Sequence, residues 1–174
     1  MNLIWLDLEM SGLDVQVNKI IEIAVIVTDT NFNILAEGPN LVIAQSEAHM
    51  KQMDDWCKNH HGKSGLTEAV LKSKLNEQDA ENQVIEFIQD WVNKAESPMC
   101  GNSIGVDREF IKAYMPKLHS WFHYRNFDVS TMKMANNWWS ETEFLKDVSD
   151  QHRAKHDILE SIREAKFYRD KWYV

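Results

Sequence analysis

No apolar run in this 174-residue sequence approaches the roughly 20 residues that a membrane-spanning helix needs, so no membrane partner is expected. The N-terminus lacks the basic region, apolar stretch and small-residue cleavage site of a secretory signal, and the expected location is cytoplasmic. Only two cysteines occur, Cys57 and Cys100, too few for a disulfide framework or a zinc spacing; both are expected to be reduced and structural. Positive charge is also scarce. Against 27 Asp and Glu stand 19 Lys and Arg, a net charge of −8, whereas a protein that tracks long nucleic acid carries an extended basic surface. That balance argues against long DNA or RNA but leaves room for a short anionic substrate neutralised locally. With no repeat, low-complexity tract or linker, residues 1–174 read as one domain with enough apolar residues for a core.

What is present begins with Leu3-Ile4-Trp5-Leu6-Asp7-Leu8-Glu9-Met10, a strand-favouring run that turns at Ser11-Gly12. Residues two apart share a strand face, so Asp7 and Glu9 would project side by side. Two carboxylates held that close repel, and each tends to take up a proton. A divalent cation removes the conflict, and hard oxygen donors suit magnesium or manganese. An edge strand with polar residues facing water has the same local pattern.

Further along, Lys19 to Thr28 is too apolar for a surface strand and reads as a central one. Ile34 to Ile43 reads as a third strand broken by Gly38-Pro39, making an early antiparallel meander. Gln45 to Ser64 reads as short helices lining a site, and residues 79–94 as a helix with Val84, Ile85, Ile88, Trp91 and Val92 on one face. Residues 98–101 form a short strand before the Gly101–Gly105 loop. Asp107 opens a helix that stops at Pro116, and 124–129 is another strand. Ser130-Thr131 would cap a helix to Trp139, and residues 153–172 form a last helix with Ala154, Ile158, Ile162, Ala165 and Tyr168 in a stripe. Strands first, then strands and helices in alternation, give a three-layer α/β domain with a mixed five-stranded sheet flanked by helices.

Asp107, placed just after a Gly-bounded loop, is taken alone a carboxylate favoured by a helix dipole, and His152 with Asp157 an ordinary surface pair. Together with Asp7 and Glu9 they make a two-metal hydrolase set. Four carboxylates would hold two cations roughly 3.5–4 Å apart, and a histidine of ordinary pKa near ~6.5 would take a proton from water.

The order D-x-E in L-I-W-L-D-L-E-M-S-G-L-D, then G-N-S-I-G-V-D, then H-R-A-K-H-D resembles the DEDDh 3′→5′ exonucleases of ribonuclease H-like fold. L-E-M-S-G-L-D, M-D-D-W and H-Y-R-N-F-D-V-S-T narrow the resemblance to the oligoribonuclease family, over nearly the whole chain. The resemblance implies two divalent cations, Mg²⁺ or Mn²⁺, held by Asp7, Glu9, Asp107 and Asp157, with His152 as general base. It implies that Leu13 wedges against a base, that Trp56 stacks near it, and that Ser103, Arg125, Ser130 and Thr131 cap a 5′ phosphate. It further implies a homodimer in which Tyr124 crosses to the partner's site, acting on short RNA, chiefly diribonucleotides, including linear dinucleotides from cyclic-dinucleotide signalling. Stacking accepts any base, so cleavage without sequence preference is physically sensible.

The sequence departs from that pattern at Lys155, where an apolar residue is more usual, and His156 is a minor rival to His152. His61 matches a family histidine, with substrate contact and a solvent-facing role both open. The competing readings are a DNA proofreading exonuclease and a catalytically dead RNA-binding domain. Net charge and the M-D-D-W and H-Y-R-N-F-D-V-S-T motifs weigh against the first, and retention of all five site residues against the second.

Overall fold

Every residue of the strand Ile20–Thr28 is buried, which places it inside the sheet rather than at its rim. In the computed structural model, which describes residues 1–140, 142–145 and 153–172, the elements run as follows. Strands β1 (Leu3–Met10), β2 (Ile20–Thr28) and β3 (Ile34–Val42) lead into helices α1 (Glu47–Met50), α2 (Asp55–Lys63), α3 (Leu66–Lys72) and α4 (Glu77–Ile88). Then come β4 (Met99–Gly101), α5 (Gly105–Tyr114), α6 (Pro116–His119), β5 (Asn126–Asp128), α7 (Val129–Trp139) and α8 (Ala154–Trp172). The sheet order is β3-β2-β1-β4-β5, so β1 is its middle strand. The first three strands form the expected antiparallel meander, while β4 and β5 join in parallel, giving the mixed sheet.

Alternation along β1 splits its side chains between two cores. Ile4, Leu6 and Leu8 pack with Val84 and Ile88 of α4 and Phe110 and Ile111 of α5. Leu3 and Trp5 face the other way, against Val129 of α7 and the Ala154, Ile158, Ile162, Ala165 and Tyr168 stripe of α8. Burying both faces of one strand accounts for the near-continuous apolar runs of β1 and β2. A third, smaller cluster of Met50, Met53, Cys57, Leu66 and Val70 holds α1–α3 against the end of β2 at Ile21.

Several boundaries differ from the sequence reading. Strand β3 is not broken at Gly38-Pro39: it is an edge strand, where a missing N–H is tolerated, and a register irregularity opposite Ala24–Ile26 absorbs the proline. Gly38 is required there, because a Cβ would sit 2.5 Å from Phe87 and 2.6 Å from Val25. Helix α4 starts two residues early, capped by Asn76, whose side chain accepts from the Asp79 N–H. It ends at Ile88, and Trp91 lies beyond it. The short helices α3 and α6 and the shortened β5 were not read from the sequence. The cap of α7 is Asp128, not Ser130-Thr131: its carboxylate accepts from the Ser130 N–H and the helix begins at Val129.

Candidate active site

Asp7 and Glu9 continue the β1 face that carries Leu3 and Trp5, and that face looks at α8. The first turn of α8 brings in Asp157, so that oxygens of Asp7, Glu9 and Asp157 all lie within 4.8 Å of one another. Asp107, in the first turn of α5, is buried, and its Oδ1 accepts from the Leu8 N–H at 2.9 Å. It stands beside Asp7 as a charge, and it is not one of the three converging groups.

Crowding and burial act on these carboxyls together. Burial lifts the Asp7 carboxyl well above the usual carboxylate range, and the charges of Asp107, Asp157, Glu9 and Glu22 add to it. Glu9 is pushed up to about 8 by burial, then by Asp157, Glu22 and Asp107, with Arg153 opposing. Asp107 rises to about 7 through burial, against the pull of the Leu8 N–H and its own backbone N–H. Carboxyls so strained by mutual repulsion fit a multivalent cation, whose charge reverses the local balance, and an all-oxygen donor set is that of a hard ion.

What holds Asp157 in place is a pair that the sequence reading missed. Glu22, opposite Glu9 in the β1–β2 register and wholly buried, grips α8 from below. Its Oε1 accepts from Arg153 Nε at 3.0 Å and Nη2 at 2.6 Å, and its Oε2 accepts from Arg153 Nε at 3.0 Å and from the Ala154 N–H at 3.2 Å. The unexpected Lys155 adds a second strap, its Nζ 2.6 Å from Glu37 of β3. His152, the expected base, lies outside the described residues, and His156 is half-buried one position before Asp157.

Beside the carboxylates opens a cleft of about 390 Å³, lined by Leu8, Glu9, Leu13, Trp56, Cys57 and His61 among others. Leu13 is 78% exposed at the tip of the 11–18 turn. That turn is braced from three sides. Asn18 Oδ1 accepts from the Asp14 N–H, Tyr114 Oη donates to the carbonyls of Val15 and Asn18, and Ser11 Oγ bonds His49 Nε2 at 2.9 Å. Gly12 adopts φ 155°, and a Cβ there would meet Asn18 Oδ1 at 2.5 Å. Trp56, 66% exposed, stacks one face on His60 with centroids 4.4 Å apart and planes 13° off parallel. His61 is buried rather than solvent-facing: Nε2–H donates to the Met10 carbonyl at 2.9 Å, and Nδ1 lies 3.9 Å from Glu9 Oε2.

The structure gathers only part of the expected cap. Ser103, at φ 50°, donates its N–H to Asp128 Oδ1 and to Ser130 Oγ, and the two serine hydroxyls are 3.0 Å apart. Thr131 is exposed one residue on. Arg125, and Tyr124 which is expected to serve the partner's site, lie at the other end of β5. They precede β5, whereas Ser130 follows it, and the Arg125 carbonyl is tied to the Met99 N–H and Arg108 Nη2. A three-residue strand, roughly 10 Å of backbone, separates them from the serines of the same subunit. The Arg125 guanidinium lies 5.3 Å from the centroid of the Tyr124 ring, and Tyr124 is 75% exposed.

Known proteins resemble this chain over nearly its whole length. Residues 4–165 match the RNase_T family model, described as an exonuclease. An oligoribonuclease of Vibrio parahaemolyticus is 56% identical over 171 residues, 97% of this chain and 94% of its own. One from Alkalilimnicola ehrlichii is 52% identical over 97% of this chain and 88% of its own. Among solved structures, an E. coli exonuclease I bound to single-stranded DNA shares the fold with a TM-score of 0.74 at 17% identity. The match covers 98% of this chain and 41% of that one. Exonuclease I from Methylocaldum szegediense gives 0.71 at 18% identity over the same shares. No helix among the described residues is long and apolar enough to cross a membrane. With its acidic cluster and cleft, the chain belongs to the exonuclease family and, within it, to the oligoribonucleases.

Proposed function

We propose that this exonuclease hydrolyses very short RNA from the 3′ end, chiefly diribonucleotides, releasing 5′-mononucleotides. Linear dinucleotides left by cyclic-dinucleotide signalling fall within that substrate class. The observation that carries the reading is the convergence of Asp7, Glu9 and Asp157 at the mouth of a cleft walled by Leu13 and Trp56. Asp7, Glu9, Asp107 and Asp157 would hold two divalent cations, Mg²⁺ or Mn²⁺, and such ions when bound supply concentrated positive charge at a scissile phosphate. The chain's own residues do the rest. Leu13 and the free face of Trp56 seat the bases without reading them, the work of an aromatic platform. His61, its Nε2 proton fixed on Met10, turns Nδ1 toward Glu9 and the substrate floor. His152 is the proposed acceptor of the water's proton.

Ser103, Ser130 and Thr131 receive the 5′ phosphate at the start of α7, where helix N–H groups favour an anion. A cap there ends the groove and suits a substrate with a single linkage. Tyr124 and Arg125 stand at the opposite end of β5 from these groups, which supports a homodimer. In that assembly a second copy of the chain delivers both residues across the interface, and not Tyr124 alone.

The test is a time course on 5′-labelled RNAs of two and seven nucleotides, with Mn²⁺ and with chelator. Metal-dependent loss of the dinucleotide, much faster than of the longer RNA, is expected. Equal rates would remove the cap from the reading, and no cleavage of either RNA would remove the activity.

A further inference from the structure

Ser103 and Ser130 do not offer their hydroxyls equally, and the reason lies one residue upstream. Asn102 Nδ2 lies 2.9 Å from Ser161 Oγ and 3.1 Å from Glu164 Oε2. Ser161 spends its own proton on the Asp157 carbonyl at 2.8 Å, so toward Asn102 it only accepts. Glu164, 1% exposed, takes Tyr168 Oη on its other oxygen at 3.0 Å. Two acceptors on one side fix the amide: Nδ2 faces α8 and Oδ1 faces Ser130. Ser130 Oγ then donates to Asn102 Oδ1 at 3.2 Å. With its proton committed inward, its oxygen accepts both the Ser103 N–H and the Ser103 hydroxyl, each at 3.0 Å.

We propose that Asn102 is a specificity-determining positioning residue: by drawing the Ser130 proton inward, it leaves Ser103 as the hydroxyl that donates to a terminal 5′ phosphate. The inference rests on reading this serine pair as the cap. On phosphate arrival Ser103 exchanges a hydroxyl–hydroxyl bond for a charge-assisted one, which is the stronger. Ser130 keeps its bond to Asn102 and holds the Ser103 backbone through the N–H. Because Ser161 and Glu164 sit on α8, the wiring also ties the cap to the helix that carries Asp157.

The experiment is the ratio of kcat/KM for a 5′-phosphorylated over a 5′-hydroxyl diribonucleotide, in which any general loss of fold or activity cancels. Asn102→Ala and Ser103→Ala are each expected to lower the ratio about tenfold or more, the worth of one hydrogen bond to a charged group, through the KM of the phosphorylated substrate. If Asn102→Ala fails to fold once Glu164 loses the Asn102 amide, Asn102→Ala/Glu164→Gln is measured instead, with the same expectation. A ratio within about twofold of wild type in the Asn102 variant, alongside a fall in Ser103→Ala, overturns the proposal. Wild-type ratios in both Ser103→Ala and Ser130→Ala would overturn the cap itself.

Discussion

Asp7 and Leu13 belong to one stretch of sequence, yet Asp7 sits on the middle strand under α8 while Leu13 stands 78% exposed at the tip of a turn. The half-buried carboxylate wall is set on the enclosed middle strand and the first turn of α8, and the proposed substrate rim is made of exposed apolar side chains, Leu13, Trp56 and Tyr124. The difference fits the two tasks proposed for them. Charge that must be positioned to a fraction of an ångström needs a rigid frame, whereas a base that is only stacked against needs an apolar surface open to solvent. The rim is braced rather than buried, by Tyr114, Asn18 and His49 behind Leu13 and by His60 behind Trp56.

The sharpest way to break this contrast is to remove one wall carboxylate. Asp157→Asn should cost roughly a thousandfold in metal-dependent hydrolysis, about 4 kcal/mol. The same change should raise the melting temperature of the metal-free protein, because it relieves repulsion on Asp7 and Glu9; calorimetry with and without Mn²⁺ reads both effects. Next in size is Glu22→Gln, which leaves Arg153 without its ion-pair partner. The expected loss is about 3 kcal/mol, the low end for a buried pair because Arg153 is partly exposed. For a chain of this length that is a fall of roughly 6–12 °C in Tm. Glu22→Gln/Arg153→Met should recover most of that loss, since two neutral partners leave no stranded charge.

A smaller effect comes from pH. Glu9 and Asp107 hold their protons to about 8 and about 7 in the folded, metal-free protein, above the values of an unfolded chain. The folded state therefore binds more protons than the unfolded one between these limits. The stability that these groups contribute is fully present below the ordinary values of 3.8 for Asp and 4.5 for Glu, and is lost as pH rises through about 7 to 8. Melting curves of chelator-treated protein should fall steadily over pH 5–9, and saturating Mn²⁺ should flatten the fall. A Tm that rises over that range without metal would contradict the arrangement of the wall. On the rim, Trp56→Ala should raise the KM for a diribonucleotide about tenfold, within the worth of one stacked base, and leave Tm unchanged within error.

Much of the wall was legible in the sequence because its signals are local. The two-residue spacing of Asp7 and Glu9 fixes their common face, and the Ala154-to-Tyr168 stripe fixes which side of α8 meets the sheet. What sequence reading lost was set by partners far along the chain. Glu22 and Arg153 are 131 residues apart, and each is locally unremarkable: an acid in an apolar strand and a base before a helix. Asn102 looks like a loop residue until Ser161 and Glu164 arrive from α8. Proline in β3 and serine at the start of α7 were over-read, because an edge strand forgives the first and the preceding Asp128 outcompetes the second.

The wall also has a schedule. Its three converging carboxylates are contributed by the first strand and the last helix, and Leu8 meets Asp107 across 99 residues. Asp7 and Glu9 are therefore translated long before Asp157, and the three oxygens cannot converge on a growing chain until α8 has been made. A metal site that needs all three oxygens, as proposed above, would have to wait for that helix before it could hold an ion.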